Sequence, residues 1–211
     1  MGTRDAFLVA AGSAADLLDH PAVAGAWTKP SALTGFTVGG LAEHLGSQVL
    51  FVSQALQQPA PAGEPVSLLG HYSRVTWIGA DLDAEVNVAI RKGGEDAAGE
   101  GPGPLVARTR AAVRELRDRL PKEPADRTVA PPSGPWGLRL DDFLVTRMME
   151  IAVHSDDLAV SAGITTPPLP DAVLDPVFEL LTRLSVRRHG ATALLRALSR
   201  AERAPGNVSA F

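Results

Sequence analysis

The chain carries a carboxylate and an imidazole at helical spacing inside an otherwise apolar segment. Glu150 and His154 lie four residues apart in the stretch MEIAVHSDDL, residues 149–158. On an α-helix, two such residues are about 6 Å apart along the axis and about 40° apart around it. Both tips can therefore reach one point about 2 Å away, the distance that zinc adopts to histidine nitrogen or carboxylate oxygen. The same spacing also suits an exposed pair that only stabilises a helix surface.

Two more polar residues extend this line along the same predicted helix face. Arg147 precedes the pair and Asp157 follows it. Asp157 could support a ligand histidine by hydrogen bonding to its second ring nitrogen. Arg147 could bind a carboxylate or a sugar-linked anion. The alternative readings are a helix-end cap for Asp157 and a surface ion pair for Arg147.

A third candidate ligand lies on a different predicted helix. On this helix His44 lies on the core-facing side, together with Leu41, Leu45 and Gln48. It is either a core histidine or, if its helix faces the Glu150/His154 helix, a partner in one site. Two histidines and one carboxylate with an open position form the ligand set of a catalytic divalent metal.

The remaining histidines are weaker candidates for chemistry. His71, at the start of another predicted helix, could line the same cavity and contact a cofactor. His20 and His189 lie near predicted helix ends or on the surface. The sequence contains no recognisable Ser/His/Asp triad, phosphate-binding loop or dinucleotide-binding fingerprint.

Composition limits the classes of function. The 211 residues include no cysteine, so metal ligands must be His or carboxylate, and any thiol must come from outside the protein. A formal net charge of -4 argues against a nucleic-acid partner. No apolar run approaches the roughly 20 residues that span a bilayer, and the N-terminus lacks the pattern of a secretory signal. We therefore expect a cytoplasmic protein.

Helical periodicity recurs along the chain, whereas strand alternation does not persist. A turn-rich connection is predicted over residues 21–36, a flexible link over 93–104, and a long Pro-rich connection, with a short extended piece near Thr128, over 121–140. Helices are predicted over residues 4–18, 38–57, 68–91, 105–120 and 140–162, followed by one helix or a helix pair over 172–203.

This element order predicts an all-α fold, an up-and-down four-helix bundle with one or more additional C-terminal helices. We expect a helical-bundle domain over residues 1–165 and a helical extension packed on it over 166–211. The apolar segment 173–198 could cover the bundle or form the interface of a homodimer.

Several short motifs identify a family resemblance. They are Trp27, the runs PSAL (30–33), GFTVG (35–39) and LAEHL (41–45), and the later Glu150 and His154 followed by SDDLA. Over roughly residues 5–165 the chain resembles the DinB-like superfamily and, within it, the N-terminal metal-binding domain of mycothiol-dependent maleylpyruvate isomerases. The resemblance implies a zinc ion held by His44, Glu150 and His154, and mycothiol as co-substrate.

The chain departs from that family at two places. Gly40 stands where the family commonly has an acidic residue near the start of the second helix. The isomerases carry an additional C-terminal α/β domain that contributes to the active site, whereas residues 166–211 read as helix. Maleylpyruvate is therefore not the substrate we expect for this chain.

The sequence-based hypothesis is a metal-dependent, thiol-using enzyme that resembles isomerases and S-transferases. Its metal would activate a small-molecule thiol as a thiolate, which attacks an electrophilic substrate. The alternatives are a metal-dependent hydrolase on the same bundle and a non-catalytic module that binds a metal, a ligand or a partner. The fold alone does not choose among these functions.

Overall fold

The computed structural model describes residues 1–211 and is predominantly helical. Its α-helices are, in chain order, α1 (Thr3–Leu18), α2 (Pro21–Ala26), α3 (Val38–Gln57), α4 (Leu68–Tyr72), α5 (Glu85–Ala98), α6 (Pro102–Arg119), α7 (Leu140–Ala162), α8 (Asp171–His189) and α9 (Ala191–Ser199). Single 3-10 turns cover Leu120–Lys122 and Ala201–Arg203. None of the helices is both long enough and apolar enough to span a lipid bilayer.

Four of these helices form a bundle around one apolar core. α1 and α3 each pack against both α6 and α7. α8 lies on α7 and α1, and its residues Val173, Val177 and Leu180 are buried in the same core. The predicted all-α four-helix bundle with added C-terminal helices is confirmed, whereas the division of the chain at residue 165 stays a prediction.

α3 follows the predicted bounds because its apolar line is continuous and its start is capped. Five apolar residues at helical spacing along α3 are fully or almost fully buried: Leu41, Leu45, Val49, Val52 and Leu56. Oγ1 of Thr37 accepts a hydrogen bond from Gly40 N–H at 3.0 Å, which satisfies one of the free N–H groups of the first turn.

A side chain from α5 completes the cap of α3. The backbone N–H of Thr37 donates to Oε1 of Glu95 at 2.7 Å. In a capping box this bond is made by a glutamate three residues after the cap, which is position 40 here. A Cβ at Gly40 would collide with the Glu95 carboxylate, and a Cβ at Gly94 would come within 2.8 Å of the Gly40 carbonyl oxygen. The two glycines therefore allow the close contact between α3 and α5, and α5 supplies the acidic group that a capping box would place at position 40.

α7 also has the predicted bounds. Asp141 and Asp142 lie in its first turn, where negative charge is favourable to the helix dipole. It ends at Gly163, which adopts a left-handed conformation (φ +68°) and donates its N–H back to the last turn. Because both bundle helices α3 and α7 match their predicted bounds, the register of the candidate ligands along each helix is as expected.

The single helix predicted over residues 68–91 is wrong. α4 ends at Tyr72 and α5 begins at Glu85, with non-helical turns between them. Gly79, inside this connection, has a positive φ of +72°, a conformation that a right-handed helix does not contain. The Asn87 side chain donates to the carbonyl oxygens of Ala80 and Asp81 and stabilises the break.

Two apolar residues of that segment face solvent, although one continuous amphipathic helix would place them on its buried face. Leu82 is 57% exposed and Ile90 is 36% exposed. The flexible link predicted over residues 93–104 is also wrong in part, because α5 continues to Ala98 and α6 already begins at Pro102. Spacing of apolar residues alone could not distinguish one long helix from two helices joined by a turn.

The connections around the bundle contain short regular pieces. The predicted turn region 21–36 includes α2, whose start is capped by the Nδ1 of His20. The predicted extended piece is confirmed: β1 (Thr128–Val129) pairs in antiparallel fashion with β2 (Leu138–Arg139), directly before α7. Val129 and Leu138 are buried, so the hairpin anchors the long connection to the core.

The C-terminal segment is a helix pair, one of the two predicted forms. α8 ends at His189, and Gly190 with a φ of +85° separates it from α9. α8 covers the bundle through its buried apolar face, whereas Leu195 and Leu198 of α9 are exposed.

Candidate metal centre

The structure brings His44, Glu150 and His154 together between α3 and α7. One ligand atom from each residue lies within 4.8 Å of those of the other two. Oε2 of Glu150 is 3.2 Å from Nε2 of His154 and 3.9 Å from Nε2 of His44. The two imidazole rings meet edge to face, with centroids 4.7 Å apart. All three side chains keep a small solvent-exposed fraction of 13–20%, so the cluster is accessible from outside.

Each helix positions its ligands through local contacts. On α7 the i, i+4 spacing places Glu150 and His154 side by side, as the sequence predicts. On α3 the Gln48 amide donates to the His44 carbonyl oxygen at 2.8 Å and lies 3.4 Å from its Nε2. Because α3 packs directly on α7, the inward direction of His44 points to the Glu150 carboxylate.

Asp157 orients the imidazole of His154. Its Oδ2 lies 3.0 Å from Nδ1 of His154, one turn farther along α7. A proton on Nδ1 is therefore bound by Asp157, and Nε2 points to Glu150. This is the arrangement in which a carboxylate fixes the tautomer of a metal-binding histidine. Asp156, its neighbour, instead accepts a hydrogen bond from Thr166 outside the cluster.

The electrostatics of the cluster favour a cation. Burial would raise the pKa of Glu150, but the hydrogen bond from His154 and the nearby side chains of His44 and Arg147 hold it well below its ordinary value. Burial lowers the pKa of His44, so its ring is neutral near pH 7 and keeps a free electron pair. Burial would also lower the pKa of His154, but its hydrogen bonds to Asp157 and Glu150 raise it to about 9.

The donor set fits a divalent cation. In the metal-free protein, both ring nitrogens of His154 face carboxylates: Nδ1 faces Asp157 and Nε2 faces Glu150. The ring therefore carries a proton on each nitrogen, in line with its raised pKa. A divalent cation would replace the Nε2 proton and contact all three ligand atoms. Two imidazoles and one carboxylate also match the donor set that zinc takes in catalytic sites, with an open position left over. Which residues hold a metal remains a prediction.

Arg147 is buried beside the cluster and is not part of an exposed stripe. It donates through Nη1 to Oε1 of Gln48 and through Nε to Oγ1 of Thr146, the latter at 3.0 Å. Its guanidinium lies over the ring of Phe143, 5.3 Å from the centroid. No carboxylate forms a salt bridge with this buried cation, which leaves it able to attract an anion.

His71 is a buried residue of α4, and its expected place in a cavity and its contact with a cofactor stay predictions. Its Nδ1 accepts a hydrogen bond from Nε1 of Trp136 at 3.0 Å. Burial, reinforced by the charge of Arg147, lowers the pKa of His71 to about 4. It is therefore a neutral histidine and is not among the clustered ligand atoms.

The sequence analysis assigned no role to three residues of this region. Gln48 links His44 to Arg147, Trp136 sets the tautomer of His71, and Tyr72 is buried beside His71. Tyr72 is the chain's single tyrosine and directly follows a candidate histidine, which is the one signal that pointed to it. His20 and His189 lie at helix ends, as predicted.

Fold and site together define a DinB-like helical bundle that carries a His/Glu/His cluster between two of its helices. The chain belongs to the mycothiol maleylpyruvate isomerase N-terminal domain family, whose model matches residues 8–159. The matched region includes the whole cluster and ends within α7. Membership of this family confirms the predicted resemblance and the prediction of an isomerase-like enzyme.

A solved structure agrees with this assignment at the level of the fold. The crystal structure of the mycothiol-dependent maleylpyruvate isomerase is similar with a TM-score of 0.52. The similarity covers 89% of this chain and 69% of that chain, at 14% sequence identity. No curated protein sequence matches the chain.

Proposed function

We propose that this protein is a metal-dependent enzyme that activates a small-molecule thiol for attack on an electrophilic substrate. In this proposal His44, Glu150 and His154 hold the cation, which is zinc, and mycothiol is the thiol co-substrate. The observation that carries the proposal is the convergence of three ligand atoms from α3 and α7 within 4.8 Å.

The donor set supports zinc, and the family supports mycothiol. Imidazole and carboxylate ligands with an open position suit a catalytic zinc ion. Such an ion lowers the pKa of a coordinated thiol. The family to which the chain belongs is named for mycothiol. The chain has no cysteine of its own, so a thiol has to come from a second molecule.

The protein's own residues have separate tasks in this proposal. Asp157 holds the Nδ1 proton of His154, so that Nε2 stays directed to the cation position. Gln48 connects the ligand helix α3 to Arg147 and keeps that guanidinium beside the cluster. The partial burial of the three ligands limits the access of water, which strengthens electrostatic interactions within the site.

Metal analysis of the purified protein tests the first half of the proposal. We expect one equivalent of zinc in the wild type and its loss in His44→Ala and His154→Ala. His20→Ala is the matched control, because the His20 side chain caps α2 and is not among the clustered ligand atoms. Zinc should also raise the melting temperature of chelator-treated wild type, since a ligand that binds only the folded state stabilises it. A protein that binds no divalent metal and shows no such stabilisation would contradict the site.

Mass spectrometry of the reaction products tests the thiol. The zinc-loaded protein is incubated with mycothiol and an unsaturated carbonyl compound, and the thiol conjugate is measured against the His44→Ala variant. We expect conjugation or thiol-dependent isomerisation above the variant's rate. A hydrolysed product formed without thiol would instead favour the metal-dependent hydrolase, and no metal-dependent product would favour a non-catalytic module.

A further inference from the structure

The side-chain amide of Gln48 has one defined orientation between α3 and α7. Gln48 is 1% exposed, and Arg147, which bonds to it from α7, is 8% exposed. Nη1 of Arg147 donates a hydrogen bond to one end of this amide. A guanidinium has donors and no acceptor, so the end that faces it must be the carbonyl oxygen, Oε1. The NH2 group of Gln48 therefore points away from Arg147.

The NH2 group of Gln48 points to the preceding turn of α3, which carries His44. Its nitrogen lies 2.8 Å from the carbonyl oxygen of His44 and 3.3 Å from Oγ of Ser47. The Ser47 hydroxyl itself donates to that carbonyl oxygen at 2.7 Å, so these two acceptors lie together and one amide N–H is shared between them. The second N–H is left for the imidazole of His44, whose Nε2 lies 3.4 Å from the same nitrogen.

The imidazole of His44 has no other hydrogen-bond partner within the protein. Its Nε2 is 3.9 Å from Oε2 of Glu150, which is too long for a hydrogen bond. An amide N–H that faces Nε2 can bond only to an unprotonated nitrogen, so it favours the tautomer with the ring proton on Nδ1. The Glu150 carboxylate acts in the opposite direction, because it would attract a proton on Nε2. The tautomer of His44 therefore depends on the donor that Gln48 presents.

We propose that Gln48, oriented by Arg147, is a positioning residue that keeps the ring proton of His44 on Nδ1 and leaves the electron pair of Nε2 free on the side of Glu150. The amide of Gln48 acts on the nitrogen that faces the cluster. Asp157 fixes the tautomer of His154 from the opposite ring nitrogen. The use of this electron pair by a metal rests on the proposed function, whereas the position of the proton does not.

The position of the ring proton is measured in the full-length, metal-free protein. Long-range ¹H–¹⁵N NMR spectra distinguish a protonated from an unprotonated ring nitrogen. They are recorded after chelator treatment at about pH 8, where an ordinary histidine is neutral. The signals of His44, one of five histidines, are assigned by their loss in His44→Ala. We expect a protonated Nδ1 and an unprotonated Nε2, and a proton found on Nε2 of the wild type overturns the proposal.

Gln48→Met removes the amide and keeps the approximate length of the side chain. The carboxylate of Glu150 then faces Nε2 without a competing donor, so the proton should move from Nδ1 to Nε2. Gln54→Met is the matched control, because it makes the same change at an exposed position of α3 and should leave the His44 signals unchanged. A residue that only packs would also leave the tautomer unchanged, so an unchanged tautomer in Gln48→Met overturns the proposal.

A double variant separates this effect from a loss of folding. Gln48→Met alone leaves the buried Nη1 of Arg147 without its acceptor, whereas Gln48→Met combined with Arg147→Met replaces both partners by apolar side chains. Such a double replacement is often nearly neutral for stability. The double variant should show the same move of the proton to Nε2, and a proton that stays on Nδ1 contradicts the role of Gln48.

Zinc affinity measures the consequence for the proposed metal site. Gln48→Met should bind zinc about tenfold more weakly than Gln54→Met in competition with a chelator, since loss of a group that orients a ligand histidine has an effect of at least this order. Equal affinities of the two variants would contradict the positioning role. A wild type that binds no zinc would contradict the proposed metal site alone, because the tautomer is measured without metal.

Discussion

The hydrogen bond between Asp157 and His154 allows the proposed metal site to be tested without touching a ligand. Asp157→Asn keeps the size and shape of the side chain and removes its negative charge. An amide oxygen can still accept the Nδ1 proton of His154, but the bond is no longer assisted by charge. The expected result is weaker zinc binding in a protein that remains folded.

The magnitude follows from the geometry of this contact. Loss of the carboxylate partner of a ligand histidine typically lowers metal affinity about 10- to 100-fold. The bond is 3.0 Å long and the Asp157 side chain is 28% exposed, so part of its charge is screened by solvent. We therefore expect the lower end of that range, about tenfold, or about 1.4 kcal/mol of binding free energy.

Asp156→Asn is the matched control for this prediction. It makes the same change of charge at the neighbouring position, but the Asp156 carboxylate accepts from Thr166 and does not contact the cluster. It should alter zinc affinity about twofold or less, because only the long-range field changes. Affinities are measured by competition with a chromogenic chelator, and circular dichroism checks that both variants are folded. Equal affinities of the two variants would refute the role of Asp157 and weaken the assignment of His154 as a ligand.

Two further predictions concern the cap of α3 and the buried wall. Gly40→Ala should lower the unfolding free energy by about 1–3 kcal/mol, because its Cβ displaces the Glu95 carboxylate. Gly93→Ala, on an open face of α5, should raise the unfolding free energy by up to about 1 kcal/mol. If urea denaturation shows that both variants change the unfolding free energy in the same direction, the role of Glu95 in the cap is contradicted. His71 should remain neutral down to about pH 4; since its folded-state pKa is lowered, its contribution to stability is complete above about pH 6.5 and is lost as the pH falls to about 4. Long-range ¹⁵N NMR titration checks this value, and a midpoint near 6.5, unchanged by Trp136→Phe, would show that His71 is not held as the structure implies.

The elements that hold the proposed ligands were predictable from local features. α3 has a continuous apolar line and a threonine cap, and α7 has acidic residues in its first turn and glycine after its last. These signals lie within a few residues of the positions that they define, so they do not depend on the rest of the chain. The relation between Glu150 and His154 was predictable for the same reason, because both lie on one helix.

The segment after α3 was not predictable by the same means. Val75, Ile78 and Leu82 have helical spacing, yet Gly79 turns the chain and α4 and α5 become separate helices. The turn is maintained by packing of α5 on α3, through the Glu95 cap, which involves residues far apart in the sequence. Local spacing contains no information about such a contact.

The sequence by itself determined the helical character of the chain, the register of the candidate ligands along α3 and α7, and the family resemblance. Only the tertiary structure decided that His44 meets Glu150 and His154, that Arg147 is buried, and that the Tyr72 hydroxyl is buried without a hydrogen-bond partner. The physical reason is that periodicity defines which face of a helix is apolar, whereas the pairing of faces depends on how all the helices pack into one core.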